Sequence, residues 1–228
     1  MVSFRSHLEV RAATLLFFLL VLTGWSADDS ALLNRWIGSQ TNFATWSADF
    51  TQTRTLKSLT QPLTASGRVW FAAPNRFHWE LGSPAQTIAV RNADEMLVIY
   101  PKLKRVEKYP LSGNQMGQWK ETLSLLEAGF PRDRGELDRR FTAGPMVCSN
   151  DVCEVPLQPK SAAARKLMPL IKIGFSTNDF ALRSTELQFA DGSTLRNDFR
   201  NPQMNVKIDP VLFSPSLDGF TVVEPLKR

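Results

Sequence analysis

Residues 67–81, Gly-Arg-Val-Trp-Phe-Ala-Ala-Pro-Asn-Arg-Phe-His-Trp-Glu-Leu, alternate in chemistry with a period of two on both sides of a Pro-Asn interruption. Val69, Phe71 and Ala73 mark one face of the first arm. Phe77, Trp79 and Leu81 mark one face of the second, with Arg76, His78 and Glu80 between them. Successive side chains point to opposite sides only along a β-strand, so this stretch dictates paired strands with one large apolar face. Such a face must be covered, either by the protein's own core or by a guest.

The rest of the chain follows the same grammar. Asp28 or Asp29 can cap a helix over Ser30 to about Gly38, with Leu32, Leu33, Trp36 and Ile37 at helical spacing. Thr45–Gln52 alternates as a strand. Gln86–Arg91, with Ile88 and Val90 on one face, turns at Asn92–Glu95 and returns over Met96–Tyr100 before Pro101. The pattern then changes. Over Asn114–Ala128, Met116, Trp119, Leu123 and Leu126 recur at spacings of three and four, which predicts an amphipathic helix ended by Gly129. A second helix is expected over Asp133–Arg140. Strands resume at Thr142–Val147 and Cys153–Leu157, followed by a helical connection over Ser161–Met168 and a strand over Ile171–Phe175. A hairpin turns at Ala190–Ser193, and Phe220–Val223 closes the series. The expected fold is mainly β with α: one strongly curved antiparallel sheet or open barrel, crossed by a helix.

The chain has 228 residues, and no internal repeat or clear linker divides it. Arg5 and Arg11, the apolar run Ala12–Leu22 and the small residues Gly24 and Ser26 read as a cleaved secretory signal peptide over residues 1–26, with an uncleaved N-terminal anchor as the alternative. One domain is expected over 27–228. No cysteine stands near the cleavage region to carry acyl chains, so a lipid anchor is not expected. Cys148 and Cys153 flank four residues. In an exported protein they read as a disulfide clamping a hairpin, because redox pairs usually enclose two residues and no other cysteine completes a zinc site. The formal net charge is +5, and removing residues 1–26 takes away Arg5, Arg11 and Glu9 to leave +4. The densest basic run, Lys102-Leu103-Lys104-Arg105, reads as a solvated hairpin edge. Its alternative is a docking patch for an acidic partner or a membrane surface. Nucleic acid is not expected as a partner.

Catalytic patterns are missing. Of two histidines, His7 lies in the leader, leaving His78 on the polar face with Arg76 and Glu80, where it is expected at the surface. No Gly-x-Ser-x-Gly, glycine-rich phosphate loop or metal-ligand spacing occurs, and Asp49, Glu80 and Asp191 form no recognisable acid pair. An enzyme is not expected, nor a cofactor. Bulky apolar residues are what the chain has in quantity: 15 Phe, six Trp and six Met. Aromatic stripes at strand spacing ordinarily make core.

Several stretches together resemble the periplasmic outer-membrane lipoprotein carrier family, the LolA type. They are Phe50-Thr51-Gln52; Ser66-Gly67-Arg68-Val69-Trp70-Phe71; Pro74-Asn75-Arg76-Phe77-His78-Trp79-Glu80; Pro84, the Ile88–Tyr100 hairpin and Pro101; and Asn205–Asp209, Phe213, Gly219–Val222 and Pro225. The resemblance implies an unclosed β-barrel with a helical lid over an apolar cavity that holds lipoprotein acyl chains. It implies a monomeric periplasmic shuttle, loaded by an inner-membrane lipoprotein-releasing ABC transporter and unloaded by a lipid-anchored outer-membrane acceptor. A carrier or sensor of another lipid or hydrophobic ligand on the same fold is the alternative. On this reading Phe50, Val69, Phe71, Phe77, Trp79, Ile88, Val90 and Met96 line the cavity, and Met116, Trp119, Leu123 and Leu126 form the lid's inner face. In that family an Arg often precedes the Pro-Asn and latches the lid; Ala73 stands there, so the latch does not carry over.

Overall fold

The structure, a computed structural model, describes residues 27–41, 43–112, 131 and 133–225. The leader and the expected lid helix, with Met116, Trp119, Leu123 and Leu126, lie outside the described residues.

Helix α1 (Ala27–Gln40) precedes a run of six strands: β1 (Thr45–Thr55), β2 (Leu63–Ala72), β3 (Arg76–Leu81), β4 (Thr87–Arg91), β5 (Glu95–Tyr100) and β6 (Arg105–Pro110). After a short helix at Arg134–Arg140 come β7 (Phe141–Ala143), β8 (Val147–Ser149) and β9 (Val152–Pro159). A second short helix at Ala162–Leu167 leads to β10 (Leu170–Ser176), β11 (Leu182–Gln188), β12 (Thr194–Met204) and β13 (Thr221–Val223). All strands join one sheet, ordered β13-β6-β5-β4-β3-β2-β1-β12-β11-β10-β9-β7, with β8 also on β9. Neighbours are antiparallel except β13, which runs parallel to β6. The two ends of the order do not meet, so the sheet is curved but unclosed, as expected.

Local chemistry explains the short helices. Asp133 accepts from the Glu136 N–H, and Ser161 accepts from the Ala164 N–H, each closing the first turn as an N-cap. The strand expected over Thr142–Val147 is two strands instead, β7 and β8. Pro145 between them has no N–H to give the ladder, and β7 and β8 each pair separately with β9. Cys148 and Cys153 face each other across β8 and β9 and are joined as a disulfide.

The inner face of the sheet is filled unevenly. Over β9, β10 and β11, α1 inserts Leu33, Trp36 and Ile37 among Val155, Ile173 and Phe175. Trp36 stacks on Phe175 with ring centroids 5.0 Å apart. Leu137, Phe141 and Met168 from the short helices and β7 complete that half.

The outer face carries a second, smaller core. Val90, Leu97, Ile99 and Val106 pack there, with Ile88, Leu217 and Phe220 against them. The cover is the C-terminal segment, including a 3-10 turn at Pro210–Phe213. This corrects the expectation for His78. The polar face of β3 is not open to water: His78 is 4% exposed, with Nδ1 2.6 Å from the Leu212 carbonyl and Nε2 2.9 Å from Glu80 Oε1. Both partners are acceptors, so the imidazole ties the C-terminal segment to β3.

Candidate functional site: an apolar cavity on the inner face

The half of the inner face that α1 leaves uncovered encloses a cavity of about 520 Å³. That lies within the range of roughly 300–1,000 Å³ typical of small-ligand sites. One wall comes from β2 and β3, where Val69, Phe71, Phe77 and Trp79 point inward; Met96 of β5 extends it. The fold thus brings five of the sequence-predicted residues to one surface. The register places Val69 opposite Trp79 and Phe71 opposite Phe77. Residues directly opposite across a pair share a face, which makes the wall continuous.

Phe50 does not line the cavity. It shares the inner face, opposite Phe199, but is covered there by its neighbours: 1% exposed, with its ring 4.2 Å from Trp79 and 6.3 Å from Phe199. It supports the angle of Trp79 rather than meeting the interior.

Ile88 and Val90 are a correction. Trp79 and Phe77 pair with Ala89 and Arg91 on β4, so Ala89 and Arg91 take the inner face. Ile88 and Val90 pair with Glu80 and His78 and turn outward, under Leu217 and Phe220. The phase was hidden because β4 is buried on both faces. The same register settles β5, where Met96 packs inward and Leu97 and Ile99 outward.

The opposite wall was not foreseen. Ile171 and Ile173 of β10, Leu182 and Leu187 of β11, and Leu195 and Phe199 of β12 border the cavity. The Ile171-Lys172-Ile173 alternation marks the strand, but nothing local says that residues a hundred positions apart enclose one space. Polar groups also reach it. Arg91 from β4 and Glu136 from the Arg134–Arg140 helix border it, Arg91 at 9% exposure. Gln52, Thr185 and Asn197 line it from β1, β11 and β12.

At the far end, Met96 packs with Tyr109 and Leu111. Burial pushes the Tyr109 hydroxyl up to about 12, with Glu107 accepting its proton at 2.8 Å. The hydroxyl therefore stays protonated and spends its O–H on Glu107. The basic run Lys102, Lys104 and Arg105 is exposed on the β5–β6 turn, away from the cavity, with Leu103 71% exposed among them.

The architecture is that of an open, curved antiparallel sheet that keeps a largely apolar hollow on its inner face. Residues 41–216 match the family model described as "Outer membrane lipoprotein carrier protein LolA", and the chain belongs to that family. An outer-membrane lipoprotein carrier protein of Chromohalobacter salexigens is 36% identical over 67 residues, 29% of this chain and 31% of that protein, so the chain spans under a third of that relative. Among solved structures, an uncharacterized conserved protein from Thermus thermophilus superposes with a TM-score of 0.52 at 9% identity, covering 86% of this chain and 99% of that one. A LolA superfamily protein from Nitrosomonas europaea gives 0.40 at 8% identity, over 80% and 96%. At 9% identity the likeness to the Thermus protein is of fold alone.

Proposed function

We propose that this chain is a periplasmic carrier that takes lipoprotein acyl chains from an inner-membrane lipoprotein-releasing ABC transporter. It delivers them to a lipid-anchored outer-membrane acceptor. The observation that carries the reading is the cavity of about 520 Å³ left between the aromatic wall of β2 and β3 and the aliphatic wall of β10 to β12.

The energetics suit a shuttle. Each methylene is worth about 0.8 kcal/mol out of water, so a chain of roughly sixteen carbons costs on the order of 12 kcal/mol to expose. Crossing water requires an apolar enclosure. Delivery requires that the enclosure not hold too well. Met96 and the half-buried rings of Phe71, Phe77 and Trp79 adapt to a chain without a single tight fit. Met116, Trp119, Leu123 and Leu126 form the removable cover in this reading. Exchange of helix contacts for acyl contacts then keeps the net energy of loading small. The family and the fold speak for binding without catalysis, and no residue of the wall is given a chemical step.

The test is release of a lipoprotein from inner-membrane vesicles by the purified mature protein. Wild type releases it; Phe77→Asp and Trp79→Asp, each placing a carboxylate in the wall, lower release more than tenfold while the far-ultraviolet spectrum is kept. No release by folded wild type overturns the reading. Lipid extracted with the protein and identified by mass spectrometry separates it from a carrier or sensor of another hydrophobic ligand.

A further inference from the structure

Three polar side chains interrupt the apolar interior in one line. Gln52 on β1, Asn197 on β12 and Thr185 on β11 stand opposite one another across three adjacent strands. Gln52 Nε2 donates to Asn197 Oδ1 at 3.0 Å, and Asn197 Nδ2 donates to Thr185 Oγ1 at 3.1 Å. All three border the cavity, and Asn197 is only 6% exposed. On one side of this line Phe50 stands opposite Phe199; on the other Leu195 stands with Leu187 and Ile171, and only the β1 end of that row, the exposed Arg54, is charged.

Stability does not call for this ladder. Replacing both partners of a buried hydrogen bond by apolar groups of the same shape is nearly neutral or stabilising. The ladder's internal bonds also leave capacity over. Each amide has two N–H groups and spends one; the Thr185 hydroxyl accepts and keeps its own O–H for a further acceptor. The spare groups of these cavity-lining residues are then three donors, one N–H on each amide and the Thr185 O–H, beside the Gln52 carbonyl oxygen. A bare hydrocarbon offers them nothing, whereas an acyl ester or amide offers a carbonyl oxygen.

Building on the carrier reading, we infer that the Gln52–Asn197–Thr185 ladder is a carbonyl-recognition site that binds the ester or amide linkage at the head of an acyl chain. The hydrocarbon then runs from β12 and β1 across β2 and β3 toward Met96, along Val69, Phe71, Phe77 and Trp79. The cavity thereby has a polarity: head at the ladder, tail at the Met96–Tyr109 end. The ligand class is the acylated compound, as opposed to an alkyl ether of equal length.

A matched pair of probes tests this. The apolar dye 1-N-phenylnaphthylamine reports occupancy, and palmitoyl lysophosphatidylcholine (an ester) and its hexadecyl ether analogue compete for it below their micellar concentrations. Wild type is expected to bind the ester about fivefold tighter than the ether, the worth of one neutral hydrogen bond. Thr185→Val and Asn197→Leu are expected to bring the ester-to-ether ratio, each lipid read against that variant's own dye affinity, to about one. Equal binding of ester and ether by wild type, with normal dye displacement, overturns the ladder's role and leaves the carrier reading standing. Failure of the dye and both lipids to bind overturns the carrier reading and the ladder with it. The wild-type comparison decides even where a variant does not fold.

Discussion

At the scale of single residues, the wall of the cavity depends on the absence of a side chain. A Cβ added to Gly67 meets Phe50 Cζ at 2.2 Å and the Glu80 carbonyl oxygen at 2.3 Å. The backbone oxygen cannot yield, and Phe50 can yield only by pushing on Trp79, whose ring lies 4.2 Å away. Gly67→Ala is therefore expected to cost about 2 kcal/mol, in the usual range for overpacking, read as a lowered urea midpoint. The same shift of Trp79 should weaken dye binding in the folded fraction. Alternation over residues 67–81 was enough to place Val69, Phe71, Phe77 and Trp79 together, because each pair of strands there is apolar on one side only. It was not enough for Ile88 and Val90. Both faces of β4 are covered, and the outer cover, Leu217 and Phe220, lies more than a hundred residues on. Periodicity reports contrast between faces, and where the contrast vanishes so does the phase. His78 was misplaced for the same reason, its partner carbonyl at Leu212 being distant in sequence.

Among the elements, α1 decides how much of the inner face stays open. Leu33 and Trp36 are fully buried, and Trp36 stacks on Phe175 of β10. Trp36→Ala removes that wedge and is expected to cost about 3–5 kcal/mol, seen as a large fall in the thermal midpoint. The β8–β9 clamp is a smaller matter. Cys148 and Cys153 are five positions apart, and closing so short a loop restrains the unfolded chain by only about 2 kcal/mol. The Cys148→Ser/Cys153→Ser protein is expected to fold, melt several degrees lower and bind dye as wild type does. Spacing and compartment made this pairing legible from the sequence. The helix starts at Asp133 and Ser161 were legible too, from capping chemistry that is local by nature. The aliphatic wall of β10 to β12 was not, since a cavity between strands is a property of their pairing and curvature, which no window of residues contains.

For the molecule as a whole, a charged lattice on the outer face binds β9 to β12. Arg196 contacts Glu154 at 2.8 Å, Asp198 at 2.8 Å and Glu186 at 3.3 Å, and Lys172 reaches Glu186 at 3.0 Å. Burial alone would raise the Glu186 carboxyl; hydrogen bonds from Gln188, Lys172 and Arg196 outweigh it and hold the group below its ordinary 4.5. A carboxyl depressed on folding contributes fully above its unfolded value and loses that contribution as pH falls through the folded one. The melting temperature is therefore expected to fall as pH drops below about 4.5, and Glu186→Gln should flatten that part of the curve. A decline equally steep in the variant would assign acid sensitivity elsewhere.

A half-open sheet has a cost that a closed barrel escapes: two rows of backbone groups that another copy could join. Here the outermost strands are β13 and β7, each three residues long, too short to template much. β13 also runs counter to the pattern, parallel to β6, and shields part of a six-residue strand that would otherwise be the rim. Trimming the chain after Gly219 strips that guard. The shortened protein should elute from a sizing column as concentration-dependent oligomers, which makes the Thr221–Val223 strand a safeguard against polymerisation.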